Sequence, residues 1–197
     1  MKIKTSILLV TLGLTALAAQ APAIDFTPRI ADSIEDGVPM RRLYFSDDAQ
    51  HIYYRPLPNW SRYGDAQGAA FRPKDSGGEV RIQNSADGNA GIALDAPGLV
   101  TLRQIAHTLL PPRSAQAAEL WEAINPVTLQ GWTSFEIGFD YVAGDQHFCR
   151  SILFINLDSK RQIHFIVDAA PAEFSPLYKS AYRTLASWYQ PVMATGR

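Results

Sequence analysis

From Trp132 to Tyr141 the chain alternates one for one. Thr133, Phe135, Ile137, Phe139 and Tyr141 fall on one side, and Trp132, Ser134, Glu136, Gly138 and Asp140 on the other. A period of two marks a β-strand with one buried face. Residues 148–156 and 161–169 read as the next two strands, and Gly144-Asp145 has the Gly-first chemistry of a type II′ hairpin turn. That turn sets Ala143 opposite Gln146, Phe139 opposite Arg150 and Phe135 opposite Phe154. A slip of one residue would turn the aromatic face away from its partners, so burial pins the register. Asp158-Ser159 predicts a two-residue loop for the second hairpin, which pairs Ile152 with Phe165, Phe154 with Ile163 and Arg150 with Val167.

A helix follows, capped at Ser175 with Pro176 at its first position. Its stripe of Tyr178, Ala181, Tyr182, Leu185, Trp188 and Tyr189 is the natural cover for the aromatic face. Upstream, Thr101-Leu102-Arg103-Gln104 forms a capping box before a helical run that Pro111-Pro112 ends. Residues 114–125 fit a helix by their alanine content, or a strand. Residues 42–45 and 51–55 form a hairpin that 56–64 interrupts, 68–72 and 79–83 are short strands, and 85–98 is mostly loop. Residues 25–39 are weakly periodic and read as a surface arm.

The compartment is written at the start of the chain. Lys2 and Lys4, an apolar run from Ile7 to Ala19 and small residues up to Ala23 make a secretory signal peptide with cleavage after Ala18 or Ala23. Cleavage after Ala21 would place Pro22 just past the cut. The apolar run falls short of the roughly 20 residues a membrane span needs, so the mature product is expected to be soluble, not an integral membrane protein, and periplasmic or secreted. Cys149 stands alone, which excludes an intramolecular disulfide even in an oxidising compartment. Removing the signal leaves 16 basic and 19 acidic residues, a formal charge of −3 with no basic cluster, so a nucleic-acid surface is disfavoured. The expected organisation is a signal peptide over 1–23, an arm over 24–40, a single domain over 41–190 and a tail over 191–197.

Chemistry-bearing residues are few. The expected register brings Asp140, Cys149 and Asp168 into one cross-strand row, with His147 on the same side. Such a cluster could hold a metal through thiolate, imidazole and carboxylates, or use Cys149 as a nucleophile with His147 as base. Strand spacing puts the outer carboxylates roughly 10 Å apart, and nearby carboxylates raise a thiol pKa. No catalytic, cofactor-binding or metal residue is therefore assigned, and no cofactor is expected. His51, His107 and His164 have no ligand-spaced partner, and the common nucleophile, zinc and phosphate-loop motifs do not occur. Trp60 and Tyr63, in the proline-rich stretch, are candidates for a partner-binding aromatic patch or for a plug at one end of the core.

The segment His51-Ile52-Tyr53-Tyr54-Arg55-Pro56-Leu57-Pro58-Asn59-Trp60 resembles the strand, proline and tryptophan that open PsbP-like domains. Residues 141–154 and 163–167, Ala169-Ala170-Pro171 and residues 174–188 resemble that fold's closing hairpins and last helix. The resemblance implies an α+β fold, an α/β/α sandwich with a central antiparallel sheet and helices on both faces, and carries over no functional residue. Export and the scarcity of chemistry together favour a non-enzymatic binding or accessory protein of the bacterial envelope, its partner another envelope or secreted protein. The alternatives are a small enzyme or metal-binding protein using Asp140, His147, Cys149 and Asp168, and a carrier of an apolar ligand.

Overall fold

The computed structural model describes residues 23–35, 37–47, 50–55, 59–85, 91–127 and 131–188. Residues 1–22 of the expected signal, Tyr189 of the expected helical stripe and the tail over 191–197 lie outside them. The chain runs through β1 (Asp25–Glu35), β2 (Val38–Asp47), β3 (Gln50–Tyr54), β4 (Trp60–Gly64), β5 (Gly68–Pro73), β6 (Glu79–Asn84), α1 (Ala96–Thr108), β7 (Ala115–Ile124), β8 (Thr133–Ala143), β9 (Gln146–Asn156), β10 (Gln162–Ala169) and α2 (Pro171–Ala186).

The strands form two sheets, ordered β1-β2-β3 and β4-β5-β6-β10-β9-β8-β7, with every pairing antiparallel. The expected α/β/α sandwich is thereby corrected. The described chain is mostly strand, a second sheet forms one layer, and the two helices of 13 and 16 residues are too short to make helical layers across a seven-stranded sheet. The segment expected as a surface arm is β1 and the start of β2. It belongs to the core because Ile24 and Phe26 are buried among Phe45, Tyr54 and Phe71, with Phe26 edge-on to Phe45 at 5.1 Å.

The two closing hairpins part company. In the first, Ala143 faces Gln146 and Phe135 faces Phe154, with Gly144 at φ +63° as its turn requires. In the second, Phe154 faces His164, Ile152 faces Ile166 and Arg150 faces Asp168, one residue from the expected pairing. The loop causes the shift. The Leu157 N–H donates to the Arg161 carbonyl at 3.0 Å, so Asp158-Ser159-Lys160 make a three-residue turn, and the Lys160 N–H donates to Asp158 Oδ1 at 2.7 Å. With a side-chain period of two, that residue turns β10 over.

Two cores result. Phe135, Ile137, Phe139, Ile152, Phe154 and Ile166 pack under Leu102 and Ala106 of α1, not under the C-terminal helix as expected. The opposite face, with Leu153, Ile155, Ile163, Phe165 and Val167, packs against Leu177, Ala181 and Leu185 of α2 and against the small sheet. We call these the α1 face and the α2 face. Helix starts differ as well. Asp95 caps α1 by accepting from the Gly98 N–H at 2.9 Å, ahead of the expected Thr101, whose hydroxyl donates back to the Pro97 carbonyl. The second helix begins at Pro171, which leaves Pro176 inside it. Residues 114–125, open from sequence, contain strand β7, and the stretch expected to interrupt the first hairpin contains β4.

Candidate functional site

The register of β10 divides the expected cluster between the two faces. Cys149 pairs with Asp140 and Ala169, while Asp168 pairs with Arg150 and points to the α1 face. His147 pairs with Val142, on the side of Cys149. Burial first, then the charges of Asp140 and Asp168, push the Cys149 thiol pKa up, the reverse of what a nucleophile or thiolate ligand needs. Among the described residues no three His, Cys, Asp or Glu side chains gather closely enough to hold a metal ion.

Asp168 is instead the hub of a structural tie. Its Oδ2 accepts from Tyr141 Oη at 2.7 Å and from Arg150 Nε at 2.5 Å, and the guanidinium also donates to the Leu109 carbonyl at the end of α1. Arg150, expected opposite Val167, is 9% exposed and lies over the Tyr141 ring at 5.5 Å. Burial, and then the hydrogen bond to Asp168, push the Tyr141 pKa up. Two more ties fasten α1 to β7. Arg103 donates twice to Glu122, and His107 Nε2 lies 2.8 Å from Glu119 Oε1. His164 is buried against Phe154 with Nε2 3.2 Å from Gln162 Oε1, and burial pulls its pKa down to about 4. His51 packs against the Tyr44 ring, 4.1 Å between centroids.

Beyond Ile166 the apolar cluster on the α1 face stops, and among the described residues no helix side chain joins it over β4, β5 and β6. Cross-strand pairing runs Tyr63, Ala70, Arg81, Ile166, so Tyr63 and Arg81 stand on this open part of the sheet. Glu79, the first residue of β6 and opposite Asp168 of β10, accepts from Tyr63 Oη at 3.0 Å and from both Arg72 and Arg81. Burial works to raise the Glu79 pKa, but hydrogen bonds from Arg81 and Arg72 hold it below the ordinary carboxylate range. Arg72 lies over the Tyr63 ring at 5.2 Å. Tyr63 keeps 46% of its surface exposed and borders an open trough of about 460 Å³ along Gly64, Gly68, Ala70, Arg81 and Gln83. Trp60, three residues back on β4, faces the other way, partly buried against the α2-face core beside Pro73 and Pro176. The pair expected as one patch therefore stands on two sides of a strand.

Sequence reasoning did not identify Glu79, Arg72 and Arg81, since their meeting depends on how β4, β5 and β6 pair. It also missed a polar nest on the α2 face. Glu136, 2% exposed, accepts from Ser151 Oγ at 2.5 Å and from Tyr178 Oη at 3.1 Å. Trp121 lies flat over Gly138, where an added Cβ would stand 2.3 Å from three ring atoms. The alternation from Ser134 to Asp140 was the available signal, because a glutamate on that side of a strand buried on both faces must find hydroxyl or cationic partners.

No family model and no curated protein matches the chain. It is similar to several solved structures. The cyanobacterial PsbP of Synechocystis shares 13% identity over 92% of this chain and 98% of its own, with a TM-score of 0.43. LpqN of Mycobacterium tuberculosis, involved in cell envelope biogenesis, shares 12% over 83% and 91%, with a TM-score of 0.46. A Pseudomonas aeruginosa protein of unknown function shares 13% over 85% and 99%, with a TM-score of 0.42. A PsbP thus stands among the structures this chain resembles, as the sequence pattern implied. No residue role is carried over from any of them.

Proposed function

We propose that this is an exported, non-enzymatic binding module of the cell envelope that docks a protein partner on the open part of its large sheet, with Tyr63 as the anchor. The observation that carries the reading is the Tyr63–Glu79–Arg72–Arg81 network, which is exposed yet already fixed. Tyrosine and arginine are the residue types that dominate interface energetics. An aromatic ring held by an arginine and a carboxylate loses little freedom when a partner covers it. Two guanidiniums share the one carboxylate of Glu79, so each arginine keeps donors that a partner's acceptor groups could meet. Export rests on the basic, apolar and small-residue segments of residues 1–23. The described helices add no span, for none is long and apolar enough to cross a membrane.

Affinity capture from the native envelope tests the surface. Wild type is expected to retain a partner that Tyr63→Ala and Arg81→Gln lose, with melting temperatures unchanged within about 2 °C. Unaltered capture by both variants would contradict the proposed surface.

A further inference from the structure

The folded core begins abruptly. Ala23 is exposed, whereas Ile24 is 1% exposed and packs with Phe26 and Phe45. The polar backbone of Ile24 is held by one side chain from the end of β6: its N–H donates to Asn84 Oδ1 at 3.3 Å, and its carbonyl accepts from Asn84 Nδ2 at 2.8 Å. Asn84 Nδ2 also donates to the Ala66 carbonyl at 3.2 Å, which fixes the orientation of the amide. A carboxamide that reads both the N–H and the C=O of one residue stands in for a neighbouring strand at the point where pairing of β1 has not yet begun.

The geometry points to Ala23–Ile24 as the bond that a signal peptidase cuts, with Asn84 as the seat of the new amino terminus; the inference rests on the export reading above. Ala21 and Ala23 supply the small residues such a cut needs, and Ile24 is the first anchored residue beyond it. Water adds across the amide bond: Ala23 leaves with the carboxylate, and Ile24 keeps the amine, protonated at neutral pH. The ammonium then donates to Asn84 Oδ1 where the amide did, and a charge-assisted bond is shorter and stronger than the neutral one. One further proton takes the direction of the broken bond, toward the exposed position of Ala23. Cleavage after Ala18 would instead leave Ala19-Gln20-Ala21-Pro22-Ala23 ahead of the seat. Because Ile24 is buried once the domain has folded, the cut must come before folding.

The test is the intact mass of the full chain expressed with its own leader and recovered from the envelope, together with an Asn84→Ala variant. A mass beginning at Ile24 is expected for both, and the variant should melt about 5 °C lower, through loss of the bonds to Ile24 and Ala66. A mass beginning at Ala19 would overturn the assigned bond while leaving export intact. A mass beginning at Met1 would overturn export and this inference together. An Ile24 start with an unchanged melting temperature in Asn84→Ala would overturn the seat.

Discussion

The α1 face of the large sheet has two parts that use the same residue types for different ends. Beneath α1, charged and polar groups fasten one element to another: Arg150 joins β9 to Asp168 of β10 and to the end of the helix, while Arg103 and His107 join the helix to β7. Over β4 to β6, Arg72, Arg81 and Tyr63 stay at the surface and gather on the largely buried carboxylate of Glu79. The first arrangement makes charge part of the fold. The second leaves it free to meet a partner, and so substitutions in the two parts should separate stability from binding.

The largest effect is expected at Arg150. Its removal strands Asp168 with the single hydroxyl of Tyr141, and breaking a pair that is largely but not fully buried costs about 3 kcal/mol, the low end for buried pairs. Arg150→Met should therefore lower the melting temperature by roughly 10 °C in calorimetry. A change under about 2 °C would erase the contrast between the two parts.

Next comes an acid limb belonging to His164. Burial lowers its pKa to about 4, while an unfolded-chain histidine titrates near about 6.5. Between those values the unfolded state takes up the proton first. Stability from this group is thus complete above about pH 6.5, falls as the pH drops toward 4 and levels off below, a loss of up to about 3 kcal/mol. Denaturant titrations across that window should show the slope in wild type and its absence in His164→Gln. A slope that survives the substitution would assign it to another group.

Ile166 marks the boundary, buried where the apolar cluster ends. Ile166→Ala should cost about 2 kcal/mol, at the low end for a core isoleucine because one side of the site borders open sheet. Denaturant midpoints check this, and a cost above about 4 kcal/mol would mean that the covered core reaches further than Ile166.

How much of this was legible depended on whether local chemistry or long-range pairing decided the outcome. The first closing hairpin was readable because Gly144 selects its turn and one face of β8 is plainly aromatic. The second was not. β10 is buried on both faces, so Ile163-His164-Phe165-Ile166-Val167 satisfies either register, and only the Asp158 turn chooses between them. That choice moved Asp168 from the side of Cys149 to Arg150 and dissolved the one chemical cluster the sequence suggested. Tyr63 could be named from its residue type, but not its network, because β6 pairs with β10 across α1, β7, β8 and β9 in sequence. The small sheet was hidden in part because burial falls at its entry, on Ile24 just before β1 and on Phe26 within it, while Ile30 further along is exposed.

The smallest expected effect on stability carries the largest functional one. Tagged wild type, Tyr63→Ala and Arg150→Met proteins, captured from the same envelope preparation at a temperature where all three are folded, test the separation directly. We expect Arg150→Met to keep the partner despite its lower melting temperature, and Tyr63→Ala to lose it while melting like wild type. Retention of the partner by Tyr63→Ala, with loss by Arg150→Met, would contradict the open sheet face as the binding surface.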